Sequence, residues 1–311
     1  TEIYILSKIK DICYNLRMSF VHLHTHSHYS LLDGLTKIDD LVKTAKAHGM
    51  NAVALTDHGS MYGAIEFYKA CKKEGIKPII GVEAYIAERT RFDKDPGLDS
   101  KRYHLTLLAK NEKGYRNLMK LVSRANLEGF YYKPRMDKDL LKEFGEGIIC
   151  LSGCPGSEFV NLIKNKHLDR AKDLLKYYID TFGRENVFVE VMKHDDVEWY
   201  TPLIKDIVQI AEDMDLPIVG TWDSHYLHQD DAEAQDTLVA INTGSEVGDS
   251  SMSMKNGDYS FISDSRAREI FRDIPGAYDN TAKVADMVDI EISLGEWVFP
   301  KYEIPEGTTY D

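Results

Sequence analysis

Short runs rich in Val, Ile, Leu and Ala alternate along this chain with longer segments whose apolar residues recur at helical spacing. Seven such runs stand out, near Phe20–His24, Ala52–Thr56, Pro78–Glu83, His104–Ala109, Gly147–Ser152, Val187–Met192 and Pro217–Thr221. Between them the 3.6-residue period predicts helices at Ile38–His48, Met61–Glu74, Glu112–Asn126, Leu168–Thr181 and Trp199–Met214. Strands alternating with helices are the signature of βα units that build a parallel sheet. The expected architecture is therefore an α/β barrel, followed after Tyr226 by helical segments at Asp231–Asn242, Arg266–Phe271 and Tyr278–Val288.

Two connections are long, 88–102 and 129–146, and loops of that length inside a compact unit tend to be functional or mobile. Ahead of Met18, residues Ile5, Leu6, Ile9, Ile12, Cys13 and Leu16 fall on one helical face. Residues 1–17 read as an extension, native or of expression-vector origin, with a docking helix as the alternative. Residues 18–295 read as the domain, and 296–311, with Pro300 and Pro305, as an exit segment.

With 311 residues, 43% of them hydrophobic, the chain can bury a sizeable core. Charges interrupt every apolar segment before it reaches the roughly 20 residues that span a bilayer. The four cysteines form no CxxC pair and follow no secretory signal, so a reducing cytoplasm is expected. A net charge of −13 argues against a nucleic-acid footprint over the whole surface. Bound cations can nonetheless dominate the field of one site.

Candidate chemistry gathers where the runs end: His24 and His26 close the first, His58 the second, Glu83 the third, Cys154 follows the fifth, and Asp223 and His225 the seventh. In a parallel barrel those ends share one rim. Residues two apart on an extended chain point the same way, so His24 with His26, and Asp223 with His225, can grip one ion. Imidazole, carboxylate and thiolate together suit zinc or a similar first-row ion better than Mg²⁺. Cys71 and Cys150 read as buried hydrophobes, His22 as a buried hydrogen-bonded residue, and His48 and His167 as solvated.

The phrases FVHLHTHSHYSLLDG (20–34), ALTDHGSMYG (54–63), IGVEAY (80–85), YYKPRMD (131–137), LSGCPGSE (151–158) and DSHY (223–226) resemble the polymerase and histidinol phosphatase (PHP) family. Within it they are most similar to the PHP domains of bacterial C-family replicative DNA polymerase α subunits. The resemblance implies a distorted (β/α)7 barrel of PHP type with a helical C-terminal extension. It also implies two to three divalent metal ions, zinc foremost with manganese or iron as alternatives, held by His24, His26, Asp33, His58, Glu83, His104, Cys154, Asp223 and His225. Asp33, Glu83 and Asp223 would be the carboxylates central to catalysis.

The activity implied is a 3′→5′ exonuclease that proofreads DNA, its partners being the DNA 3′ end and the remaining domains of the polymerase, with Tyr131, Tyr132, Lys133 and Arg135 contacting the strand. His28 and Gln235 depart from the residues usual in the family without removing a ligand. No segment resembles a polymerase palm, so nucleotide addition is not expected of this chain. The alternatives are a free-standing small-molecule phosphatase, a non-catalytic metal-binding scaffold, and an amidohydrolase barrel, which would need a bridging lysine at a strand end.

Overall fold

The computed structural model describes residues 19–194, 196–248, 253–297 and 299. The expected N-terminal helical face and most of the exit segment lie outside the described residues. The elements are α1 (Ile38–Ala47), β1 (Ala52–Leu55), α2 (Ala64–Glu74), β2 (Lys77–Ala87), β3 (Arg102–Ala109), α3 (Glu112–Leu127), β4 (Arg135–Met136), α4 (Lys138–Phe144), β5 (Ile148–Leu151), α5 (Glu158–Lys164), α6 (Leu168–Phe182), β6 (Val187–Val191), α7 (Ile204–Asp213), β7 (Ile218–Gly220), α8 (Ala232–Thr243), α9 (Asp264–Phe271) and α10 (Asp279–Met287). Among the described residues no helix is long and apolar enough to cross a membrane.

The strands form one seven-stranded sheet in the order β1-β2-β3-β5-β6-β7, with β4 pairing β2 on the side. The sheet curls into a distorted (β/α) barrel whose strands, apolar along almost their whole length, are buried on both faces. Parallelism fails at one strand. β3 runs antiparallel to both β2 and β5, so its beginning, not its end, lies at the rim shared by its neighbours.

Two further expectations need correcting. The first run, 20–24, forms no ladder; it is an extended segment wedged between β1 and the chain after β7. The His22 carbonyl accepts from Ala54 N at 2.8 Å, and His26 N donates to the Ser224 carbonyl at 2.8 Å. The third run does not stop at Glu83 either, because β2 continues to Ala87 to pair with the start of β3 and with β4.

The helices after β7 are integral to the barrel. Phe20 N donates to Asp264 Oδ1 (2.6 Å), Val21 N to Thr281 Oγ1 (3.1 Å), and the Phe20 ring stacks on Phe271 at 5.8 Å. These contacts clamp the segment that delivers His24 and His26. The long connections are also pinned. Arg135 is wholly buried, and its guanidinium donates to the carbonyls of Gly129, Arg91, Asp93 and Asp99.

Candidate metal centre

The nine expected ligands converge from segments spread over two hundred positions. His24 Nε2 lies 3.4 Å from Glu83 Oε1 and 3.6 Å from Asp223 Oδ1. His26 Nε2 lies 3.4 Å from Glu83 Oε2 and 3.3 Å from Asp223 Oδ1. The extended backbone thus does aim both imidazoles at the same carboxylates. On the other side of Glu83 Oε1 stand His104 Nδ1 at 2.7 Å and Cys154 Sγ at 3.3 Å. A third grouping has His58 Nε2 3.3 Å from Asp33 Oδ2 and His225 Nε2 3.9 Å from Asp33 Oδ1, with the His26 ring 4.2 Å from the rings of both histidines.

Local sequence explains the placement. Asp33 sits in a turn that folds back on Ser27–Ser30, where Gly34 is obligatory because a Cβ there would lie 2.0 Å from the Ser27 carbonyl oxygen. Gly59, at φ 58°, follows His58 and lets Pro134 and Tyr85 close over it, since an added Cβ would meet Pro134 Cγ at 2.9 Å. His104 reaches the rim because β3 is reversed.

Behind the ligands lies a buried polar layer that sequence reading missed. Glu190, wholly buried on β6, stands 3.0 Å from His24 Nδ1 and also accepts from Thr221 Oγ1 (2.6 Å) and Gly153 N (3.1 Å). Its signal was a lone carboxylate in the otherwise apolar run Val187–Val191. Asp57 accepts from Ser27 and from Ser30 Oγ, and Ser30 Oγ in turn lies 2.8 Å from His26 Nδ1. His194, also missed, sits beside Asp223 between the rings of Trp222 and Tyr259.

The fit to cations rests on atoms left without partners. His24 Nε2, His26 Nε2, His58 Nδ1, His225 Nε2, Asp33 Oδ1, Glu83 Oε2 and Asp223 Oδ1 are all buried and have no well-aligned hydrogen bond among the described residues, although His58 Nδ1 approaches Glu83 Oε2 to 2.6 Å. Leaving even one such group unsatisfied costs about 1–3 kcal/mol. While the imidazoles are neutral, their lone pairs and the carboxylate oxygens crowded on one point are acceptors facing acceptors, a set that either divalent cations or protons on the imidazoles must answer.

Electrostatics of the bare side chains point the same way. Burial opposes charge on His24 and His58, yet Glu83 beside both, with Asp223 near the first and Asp33 near the second, holds each imidazole well above its ordinary range. Burial also opposes ionisation of Asp33 and Asp223, but the surrounding histidines keep both below the usual carboxylate range. Burial pushes the Cys154 thiol well up, helped by Glu83 and Asp223. That thiol needs an adjacent cation to ionise.

The centre opens into a cavity of about 450 Å³ lined also by Tyr85, Arg102, Lys133, His194, Met254 and Tyr259. Of the expected strand contacts, Lys133 lines this cavity, Tyr132 is exposed, and Tyr131 is half-buried against it. Arg135 is withdrawn from that set, because its guanidinium is consumed by backbone carbonyls. Gln235, one of the departures, is buried and donates to the Asp33 carbonyl at 3.1 Å; His22 is buried with Nε2 3.0 Å from the Ile262 carbonyl, as expected. His48 is half-buried rather than solvated, whereas His167 is exposed.

Comparison with known proteins gives a match to the PHP domain model over residues 22–194. A DNA polymerase III subunit alpha from Borreliella burgdorferi is 42% identical over 294 residues, covering 94% of this chain and 26% of the relative. One from Treponema pallidum is 42% identical over 293 residues, covering 93% and 25%. The chain thus spans about a quarter of the length of these relatives. Among solved structures, an amidohydrolase from Chromobacterium violaceum with bound sulfate aligns at a TM-score of 0.44 and 15% identity, covering 67% of this chain and 88% of that one.

Proposed function

The chain belongs to the PHP domain family, and from that premise we propose that its metal centre hydrolyses phosphodiester bonds at the 3′ end of DNA, as the 3′→5′ exonuclease of a replicative polymerase α subunit. The observation that carries the reading is the set of buried imidazole nitrogens and carboxylate oxygens, without well-aligned hydrogen bonds, gathered around Glu83 and Asp223.

In this reading His24, His26, Glu83 and Asp223 hold one ion, Glu83, His104 and Cys154 a second, and Asp33, His58 and His225 a third. Zinc fits this mixture of imidazole, carboxylate and thiolate best. When bound, such ions supply Lewis acidity, lowering the pKa of water and offsetting charge on phosphoryl oxygens. The chain's own contribution is positioning. Glu83 presents Oε1 to His24, His104 and Cys154, and Oε2 to His26 and His58, which suits a bridging carboxylate. Glu190 takes the Nδ1–H of His24 and so reserves Nε2 for an ion, a second-shell arrangement that fixes the tautomer. Lys133, with Tyr131 and Tyr132 outside it, would receive the strand. The product is a 5′-nucleotide, and proofreading is the role that such an activity would serve beside a polymerase.

The deciding experiment incubates the metal-loaded chain with primer-template DNA bearing a 3′ mismatch and, in parallel, with small phosphomonoesters, comparing the parent with Asp33→Asn. Nucleotide release lost in the variant supports the exonuclease. Turnover of the monoesters alone indicates a small-molecule phosphatase, and retained metal with no turnover of either substrate indicates a scaffold.

A further inference from the structure

Two cationic side chains line the cavity outside the metal centre without an ion pair of their own, although the Asp33 carboxylate is near enough to act on Lys133. They are Arg102 and Lys133, each 5.7 Å from the centroid of the Tyr85 ring. Neither forms an ion pair among the described residues; the Arg102 guanidinium donates to the carbonyl of Ser100, a neutral group. Basic side chains on the neighbouring long connection are instead paired, as Arg89 is with Asp99 and Arg91 with Asp137 and Glu128.

Their placement is built in. Arg102 lies two residues before the ligand His104 on β3, so it points to the same face of the sheet, opposite Ala87 of β2, whose missing bulk leaves room beside Tyr85. Lys133 is carried by the turn into β4, which pairs with Tyr85 and Ile86 and is braced by Pro134 over Gly59. Burial lowers the Lys133 ammonium from its ordinary range, against the pull of Asp33 and with a smaller push from Arg102. Like charges brought together in a half-buried cleft repel one another unless an anion sits between them.

The geometry points to an anion subsite formed by Arg102 and Lys133 over Tyr85, which holds the backbone phosphate next to the scissile one on a phosphodiester strand. The inference rests on the hydrolase reading for the location of the scissile bond and extends it to a determinant of substrate class. A chain with a second phosphate engages both places; a small monoester reaches only the metals. Tyr85 offers its ring to both the guanidinium and the ammonium.

The test uses the metal-loaded chain and two short oligothymidylates, both blocked against cleavage by a methylphosphonate at the 3′-terminal linkage. They differ only at the next linkage, a phosphate in one and an uncharged methylphosphonate in the other. By fluorescence anisotropy the charged strand should bind the parent about tenfold more tightly, the worth of a charge-assisted contact. Arg102→Gln and Lys133→Gln should each erase most of that difference and reduce the slope of log affinity on log salt by about 0.7. Bis(p-nitrophenyl) phosphate, a diester with no second phosphate, should be hydrolysed by Arg102→Gln at the parental rate. Equal affinity of the parent for both strands overturns the subsite, as does equal slowing of the small diester. If the small diester is inert even with the parent while the charge-dependent binding persists, the hydrolase reading fails and the subsite stands.

Discussion

Glu190 and His24 face each other across 3.0 Å in the interior of the barrel, on the side of the imidazole away from the carboxylates of Glu83 and Asp223. A wholly buried carboxylate of this kind needs donors, and it has them in His24, Thr221 and Gly153. The pair converts a strand residue far from solvent into a device that decides which nitrogen of His24 faces the centre.

Glu190→Gln should therefore weaken metal binding by about 10–100-fold, the usual cost of losing a second-shell partner. Competition against a chromophoric chelator reads this directly. Unchanged affinity would show that the contact serves packing alone.

Arg135 tests a different assignment. Its buried guanidinium donates to four backbone carbonyls at 2.7 to 3.1 Å and so ties together both long connections. Arg135→Met should cost about 2–4 kcal/mol in urea unfolding, the price of stranding several buried acceptors. Strand affinity lost with stability unchanged would return this residue to the DNA-contacting set.

His22 gives the fold a pH dependence of its own. Burial, with a smaller effect from His48 and against a hydrogen bond to the Ile262 carbonyl, lowers its imidazole from 6.5 to about 4. Between those values the unfolded chain binds a proton that the folded chain refuses. Its contribution is thus complete above pH 6.5 and is lost as pH falls toward about 4, amounting to about 3 kcal/mol. His22→Gln, which keeps a donor for Ile262, should flatten the stability curve across that window. A curve of unchanged slope in denaturant titrations from pH 7 to 4 would contradict this.

Much of the centre was legible because strand ends are where a barrel keeps its chemistry. His58, Cys154, Asp223 and His225 follow that rule, and His24 with His26 close an extended segment that makes no ladder but runs beside β1. His104 does not follow the rule, since it begins its strand, and only the reversal of β3 brings it to the rim. Pairing direction leaves no mark on the alternation of apolar residues, so only the family resemblance supplied this candidate ligand. Asp33 likewise lies in a turn with no periodic signal. Glu190 and His194 escaped notice because each is a single polar residue in or after an apolar run, and burial cannot be read from one such letter. Arg135 misled for the opposite reason: beside two tyrosines and a lysine it reads as a strand contact, whereas the fold uses it to satisfy carbonyls.

The central claim is that these side chains hold adjacent cations through a shared Glu83. Metal content per chain, measured by plasma mass spectrometry after dialysis, tests it most directly when the parent is compared with Glu83→Gln. The parent should hold about two to three ions, falling by at least one in the variant while the fold persists. A parent that retains no metal after loading, or a variant that keeps the full complement, would contradict it.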